Sequence, residues 1–134
     1  MAWQHGKDTV VKVATKDISQ YTDSSELTIG GDVHDVTTYG NQSHRKAGGL
    51  GEHSFKCSGT YDTTAVSGPR AVLKPLRGTT VAVIRQPEGA GTGKPQDAFN
   101  AVVGEYVETS PVADYVKWSC TFEVDGDVTS TTQA

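Results

Sequence analysis

The stretch DYVKWSCTFEVDG, residues 114–126, decides the fold class. Its large apolar side chains fall on alternate positions, Trp118, Cys120, Phe122 and Val124. A period of two puts all four on one face of a β-strand, whereas a helix would scatter them around its axis. HSFKCSGTYD (53–62) repeats the pattern, with Phe55, Cys57 and Tyr61 sharing a face. Phe55, Cys57, Trp118, Cys120 and Phe122 are therefore the expected core, and both cysteines point inward with the bulky side chains. If the two strands are neighbours a disulfide is open to them; in a cytoplasmic protein free thiols are the expectation.

Working outward, TVVKVATK (9–16), SELTIGG (25–31), HDVTTYG (34–40) and AFNAVVGEYVE (98–108) also read as strands. The glycine pair 30–31 marks a bulge or tight turn. TTVAVIRQ (79–86) is apolar on both faces, as a covered central strand is. The composition agrees: Thr, Ser, Gly and Val abound, Met occurs once, and 35% of the residues are hydrophobic. A chain of 134 residues supports one core, so residues 1–134 are read as a single domain. SGPRAVLKPLRG (67–78) is the exception, a helix of two to three turns with Ser67 or Gly68 as N-cap and Pro69 in the first turn. Arg70, Lys74 and Arg77 make one basic stripe on it. GNQSHRKAGGLGE (40–52) reads as a long polar loop, and the polar ending from about 126 to 134 as a mobile tail.

Candidate chemistry is thin. QPEGAGTGKPQD (86–97) has the glycines and lysine of a phosphate loop. However, Glu88 stands where the first Gly belongs, Pro95 replaces the magnesium-binding Ser or Thr, and a strand follows instead of a helix. It reads as a connection between two strands. His53 and Cys57 lie about 13 Å apart on an extended chain, and His5, His34 and His44 fall in unrelated segments, so no metal set of three convergent ligands is expected. No serine–histidine–aspartate or paired-carboxylate pattern stands out, and neither a catalytic residue nor a cofactor is assigned. The N-terminus lacks an apolar signal core, and no apolar run approaches the ~20 residues of a membrane span, so the expectation is a soluble chain made in a cytoplasm. Asn41 opens a glycosylation-type triplet that carries no meaning without secretion.

Net charge is −4, which argues against wrapping nucleic acid. The charges segregate: Asp23, Glu26, Asp32 and Asp35 occur with no base between them, and from Asp97 to Asp127 seven acids face one base, Lys117. Arg70, Lys74, Arg77 and Arg85 lie in a block without acids. A folded unit with separated signs can dock on copies of itself.

Trp3 and His5-Gly6 before the first strand, Asp17-Ile18-Ser19 after it, DVTTYG (35–40) leading into the long loop and SGTYD (58–62) before the helix occur in an order and spacing that resembles the major tail tube proteins of long-tailed bacteriophages, particularly those of actinobacterial hosts. The likeness covers residues 1 to about 125. It implies a mainly β, sandwich- or barrel-like fold with one flanking helix, and six-membered rings stacked into a hollow tube in the virion tail, assembled in the host cytoplasm. It implies no catalysis; the tube conducts DNA, surrounds a tape-measure protein, and meets terminator and tail-tip proteins at its ends. On this reading Asp23, Glu26, Asp32, Asp35, Asp97, Glu105 and Glu108 are candidates to line an acidic lumen. Asn41, Ser43, His44, Arg45, Lys46, Gly48, Gly49 and Gly51 form a mobile loop that orders against a neighbouring subunit. A β-sandwich binding module, such as a capsid decoration or adhesin domain, is the alternative.

Overall fold

The computed structural model describes residues 3–63 and 68–134. Their strands are β1 (Val10–Val13), β2 (Lys16–Asp17), β3 (Thr22–Asp35), β4 (Lys46–Thr60), β5 (Thr80–Gln86), β6 (Pro95–Thr109) and β7 (Lys117–Thr132), with helix α1 (Pro69–Leu73) between β4 and β5. All seven join one antiparallel sheet in the order β2-β1-β5-β6-β7-β4-β3. The architecture is thus mainly β, as expected, a single curved sheet with one short helix.

The 114–126 alternation sets the register. Phe55 stands opposite Phe122, Cys57 opposite Cys120, and Gly59 opposite Trp118. Phe122 in turn stands opposite Val103 on β6. All of these are buried, and Phe55 contacts both Phe99 and Phe122 with ring centroids 5.6 and 5.5 Å apart. Truncating such a ring to Ala costs about 3–5 kcal/mol. From the other end of the sheet come Val11, Val13, Val81 and Val83, so one apolar face runs from β1 to β4 and folds over on itself.

The curl is held at three points. Trp118 donates its indole N–H to the Tyr21 carbonyl, tying β7 to the segment that leads into β3. Gly59 lets that same carbonyl approach, since a Cβ there would collide with the Tyr21 backbone. Val11 exchanges bonds with the Ile18–Ser19 turn: Ile18 N–H donates to its carbonyl and its own N–H donates to Ser19 Oγ. Ile18 is fully buried under this turn.

Gly68, not Ser67, precedes the helix in the described part of the chain; Ser67 lies outside the described residues. Pro69 occupies the first turn, and Pro75 falls in a 3-10 turn, Lys74–Leu76, that extends the helix. Val72 and Leu73 close one end of the core.

Three expected boundaries differ. Residues 25–31 and 34–35 belong to one strand, β3, with a register shift between Gly31 and Val33, so the glycine pair marks a bulge. The expected 40–52 loop is strand from Lys46 onward. The expected free tail is strand to Thr132, with Thr129–Thr132 paired to β6. Gln133 holds that end: its side chain accepts from Gly91 N–H and donates to the Gly89 and Pro95 carbonyls. Those contacts fill the β5–β6 turn, where Gly89, Gly91 and Gly93 take positive φ angles that favour glycine. The phosphate-loop wording is therefore a turn plugged by the chain's own C-terminal segment.

Cys57 and Cys120 are both free thiols. Burial raises both pKa values, with the neighbouring Cys120 adding to the effect at Cys57; Cys120 is pushed up to about 12. A thiol whose folded pKa is raised stabilises the fold fully below its unfolded pKa and loses that contribution as pH rises. Stability should therefore decline from about pH 9 upward, and replacing both cysteines with Ala should flatten that part of the profile. In the native protein at pH 8 both thiols should react at least tenfold slower than in urea; equal rates would contradict the assigned faces.

Candidate assembly surfaces

The distal halves of β3 and β4 form a two-stranded arm. β4 pairs with β7 only from Ser54 to Thr60, whereas its pairing with β3 continues out to Asp35 opposite Lys46. Two strands alone are marginally stable in water. This arm also carries exposed apolar side chains: Leu50 is 81% accessible, Val33 68% and Ile29 57%, with Val36 and Tyr39 exposed near the tip.

The arm is nevertheless locally organised. Asp35 accepts from Thr37 N–H, Asn41 Oδ1 accepts from Thr38 N–H, and Thr37 Oγ1 accepts from Arg45 N–H. Lys46 Nζ lies 3.4 Å from Asp35 Oδ2 and His44 Nδ1 3.8 Å from it. The Thr37 bonds, assisted by Lys46, hold the Asp35 pKa below its ordinary value. Its contribution is thus present above the usual aspartate range and is lost as pH falls.

Glycines 48, 49 and 51 suggested a loop because sequence alone cannot tell freedom from space. In the structure a Cβ on Gly49 would sit 2.6 Å from His34 Nε2, and one on Gly51 3.1 Å from His53 Nε2. His34 of the paired strand β3 lies across Gly49, and His53, two residues along β4, lies against Gly51 and accepts from Gly30 N–H through Nδ1. Gly48 faces Val33 with open space around it, and Ser43 is exposed at the tip.

The candidate carboxylates separate into two groups. Glu26 and Glu105 stand on the face turned away from the core, opposite Lys56 and Thr121 respectively. That face is carpeted by short hydroxyl side chains, Ser24, Thr28, Ser54, Ser58 and Ser119 among them, and it also carries Glu52 and Glu123. Thr28, Glu52, Ser54 and Glu123 line one shallow groove there, together with His53. The other candidates are engaged or lie elsewhere. Glu108 takes Arg70 at 3.1 Å and the Tyr106 hydroxyl; burial and then this carboxylate raise the Tyr106 pKa. Asp97 stands opposite Arg85 and accepts from Ser130 Oγ, Asp35 is held by the arm tip, Asp32 sits in the β3 bulge, and Asp23 lines a groove beside β1. Glu52 and Glu123 were missed, although the polar positions of the 114–126 alternation already place Glu123 opposite the core.

On the helix, Arg70 is used against Glu108, while Lys74 and Arg77 stay exposed. Among the described residues no group of three or more His, Cys, Asp or Glu is placed to hold a metal ion, and no helix is long and apolar enough to cross a membrane.

No protein-family model and no curated protein sequence matches the chain. Solved structures do match. The tail of an empty gene transfer agent particle, determined with C6 symmetry, has a TM-score of 0.76 at 14% identity, over 97% of this chain and 100% of that one. The SPP1 tail tube gives 0.79 at 9% identity, over 98% and 80%. A sheath/tube terminator of an extracellular contractile injection system gives 0.76 at 14%, over 98% and 99%.

The partly exposed Arg70–Glu108 pair should contribute at most about 1 kcal/mol. Glu108→Gln should therefore lower the urea midpoint slightly, less so at high salt, with an unchanged m-value. A loss of several kcal/mol would mean the helix depends on this pair rather than on Val72 and Leu73. Taken together, the chain has the fold of the tube subunits found in phage-like tails and injection systems.

Proposed function

We propose that this chain is the structural subunit of a phage-type tail tube, with copies forming six-membered rings that stack into a hollow conduit for DNA. The observation that carries the proposal is β3. Over 14 residues, Thr22–Asp35, it pairs among the described residues only with β4 and presents its other edge without a strand partner. A long unpaired edge is a template for strand addition, and a closed ring removes it. The tube fold over 97–98% of the chain and the sixfold symmetry of the similar gene transfer agent tail support this reading.

The arm supplies the second contact. Its apolar side chains become buried only if another copy covers them, and two strands become three or more. Partners beyond itself would be a tape-measure protein inside the tube and terminator and tip proteins at its ends, in a virion tail built in the host cell. The lumen would be lined by the hydroxyl-rich outer face with Glu26, Glu52, Glu105 and Glu123. Carboxylates on that wall repel phosphates, so DNA slides without the counterion release that makes basic proteins hold it. Such a protein needs no catalytic pocket.

Two experiments test this. Joining Gly31 to its opposite residue Gly51 through an Asn-Gly turn removes the arm beyond its root while keeping the β3–β4 register. The shortened protein should stay folded, with both cysteines protected, and should no longer form long tubes by negative-stain microscopy. Normal tubes would exclude the arm from assembly; a native protein that stays monomeric or trimeric at high concentration would favour a binding module. Separately, Glu26→Lys with Glu123→Lys should leave tubes intact but make them bind duplex DNA in a salt-sensitive manner. Unchanged DNA exclusion would remove this face from the lumen.

A further inference from the structure

We infer that the seam between β1 and β3 is the lateral socket of the ring, and that it receives the Asp125–Asp127 bulge of a second copy. The inference rests on the tube reading above and names the residues that close the ring.

The socket is a groove of about 560 Å³ where the curled sheet brings its two ends together. Three cationic or protonatable side chains line it, His5, Lys7 and Arg85, among hydroxyls that include Ser24 and Ser25, with Asp23 as its one acid. Arg85 lies at the base of the seam, partly buried, with Nε 3.4 Å from Ser25 Oγ. Among the described residues it makes no salt bridge. Asp97, opposite it, is bonded to Ser130, and Asp23 is the groove's one acid, so a carboxylate from a partner would bind this partly buried guanidinium with charge-assisted hydrogen bonds.

The matching acids lie away from the seam, on β7, two strands from β3 in the sheet order. β4 last pairs with β7 at Ser54 and Glu123, so from Val124 onward one edge of β7 is unpaired. Between the pairs Asn100–Asp125 and Ala98–Thr129, β7 carries three residues against one on β6. Gly126, with φ of +87°, makes this bulge. Asp125 and Asp127 flank it and are exposed, and neither side chain takes part in a hydrogen bond or ion pair among the described residues.

Along the strands, Arg85 and Asp127 are offset by three residues, about 10 Å. Arg85 is opposite Asp97, Asp97 is opposite Ser130, and Ser130 is three residues from Asp127. Two different, complementary patches on one subunit make a head-to-tail contact, the kind that generates a ring when its rotation closes. The side chains are also of the right sign, with the socket basic and the bulge acidic.

Mixing charge-reversed copies tests this. Arg85→Glu alone and Asp125→Lys/Asp127→Lys alone should each stay monomeric by sedimentation velocity where the native chain assembles. An equimolar mixture should assemble, because each junction then joins opposite charges again. Protection of Cys57 and Cys120 checks that the variants are folded. Should Arg85→Glu fail that check, Arg85→Gln is used, with at least a tenfold rise in the concentration needed for assembly expected. Assembly of either Arg85 variant at the native concentration, or a folded mixture that stays monomeric, would overturn the socket while leaving the tube reading intact. A native chain that never assembles would overturn both.

Discussion

The structure depends on the pairing of β4 with β7. Phe55 with Phe122, Cys57 with Cys120 and Gly59 with Trp118 form one continuous row of cross-strand contacts. Because strand side chains alternate, a slip of one residue would turn all of them to solvent and bring Lys56 and Glu123 into the core. The same register sends Trp118 Nε1 to the Tyr21 carbonyl, which fixes where β3 begins. It also sets the outer face, since every residue between the core positions must point away. The interior and the polar wall are two consequences of one register.

That register leaves particular groups unsatisfied. β3 ends the sheet order and, among the described residues, has no strand partner on its far side, and the arm has none on either side. Elsewhere the chain takes care to close itself: Gln133 fills the β5–β6 turn, and Ser19 bonds the edge of β1. Contrast between the carefully capped ends and the bare arm is the physical case for an assembly surface. The arm tip, with Asp35 holding Thr37 and Lys46, keeps the two strands paired in an isolated copy without covering Val33 or Leu50.

Much of this was legible in the sequence, for reasons that differ by element. The core residues Phe55, Cys57, Trp118, Cys120 and Phe122 follow from alternation, and all five are buried. Failure of the phosphate-loop pattern at Glu88 and Pro95 pointed to a strand connection, and a connection is what lies there. Glycine was the ambiguous signal. At 48–51 it suggested a loop, whereas Gly49 makes room for His34 across the strand pair and Gly51 for His53 on its own strand, contacts that appear only once 46–60 is a strand. The tail was misjudged because its strand character depends on β6 and on Gln133, both distant in sequence or dependent on tertiary contact. Charge segregation was visible as blocks, but pairing of Glu108 with Arg70 and of Asp35 with Lys46 was not, so sequence counted engaged and unengaged carboxylates alike.

The central claim is that the far edge of β3 closes onto another copy. Amide hydrogen exchange resolved residue by residue across Thr22–Asp35 tests it most directly. In an isolated copy, amides directed at β4 should be protected and those between them should exchange quickly. In assembled material the account predicts that this second set slows as well, so that protection along β3 no longer alternates. Alternation that persists unchanged after assembly would contradict it.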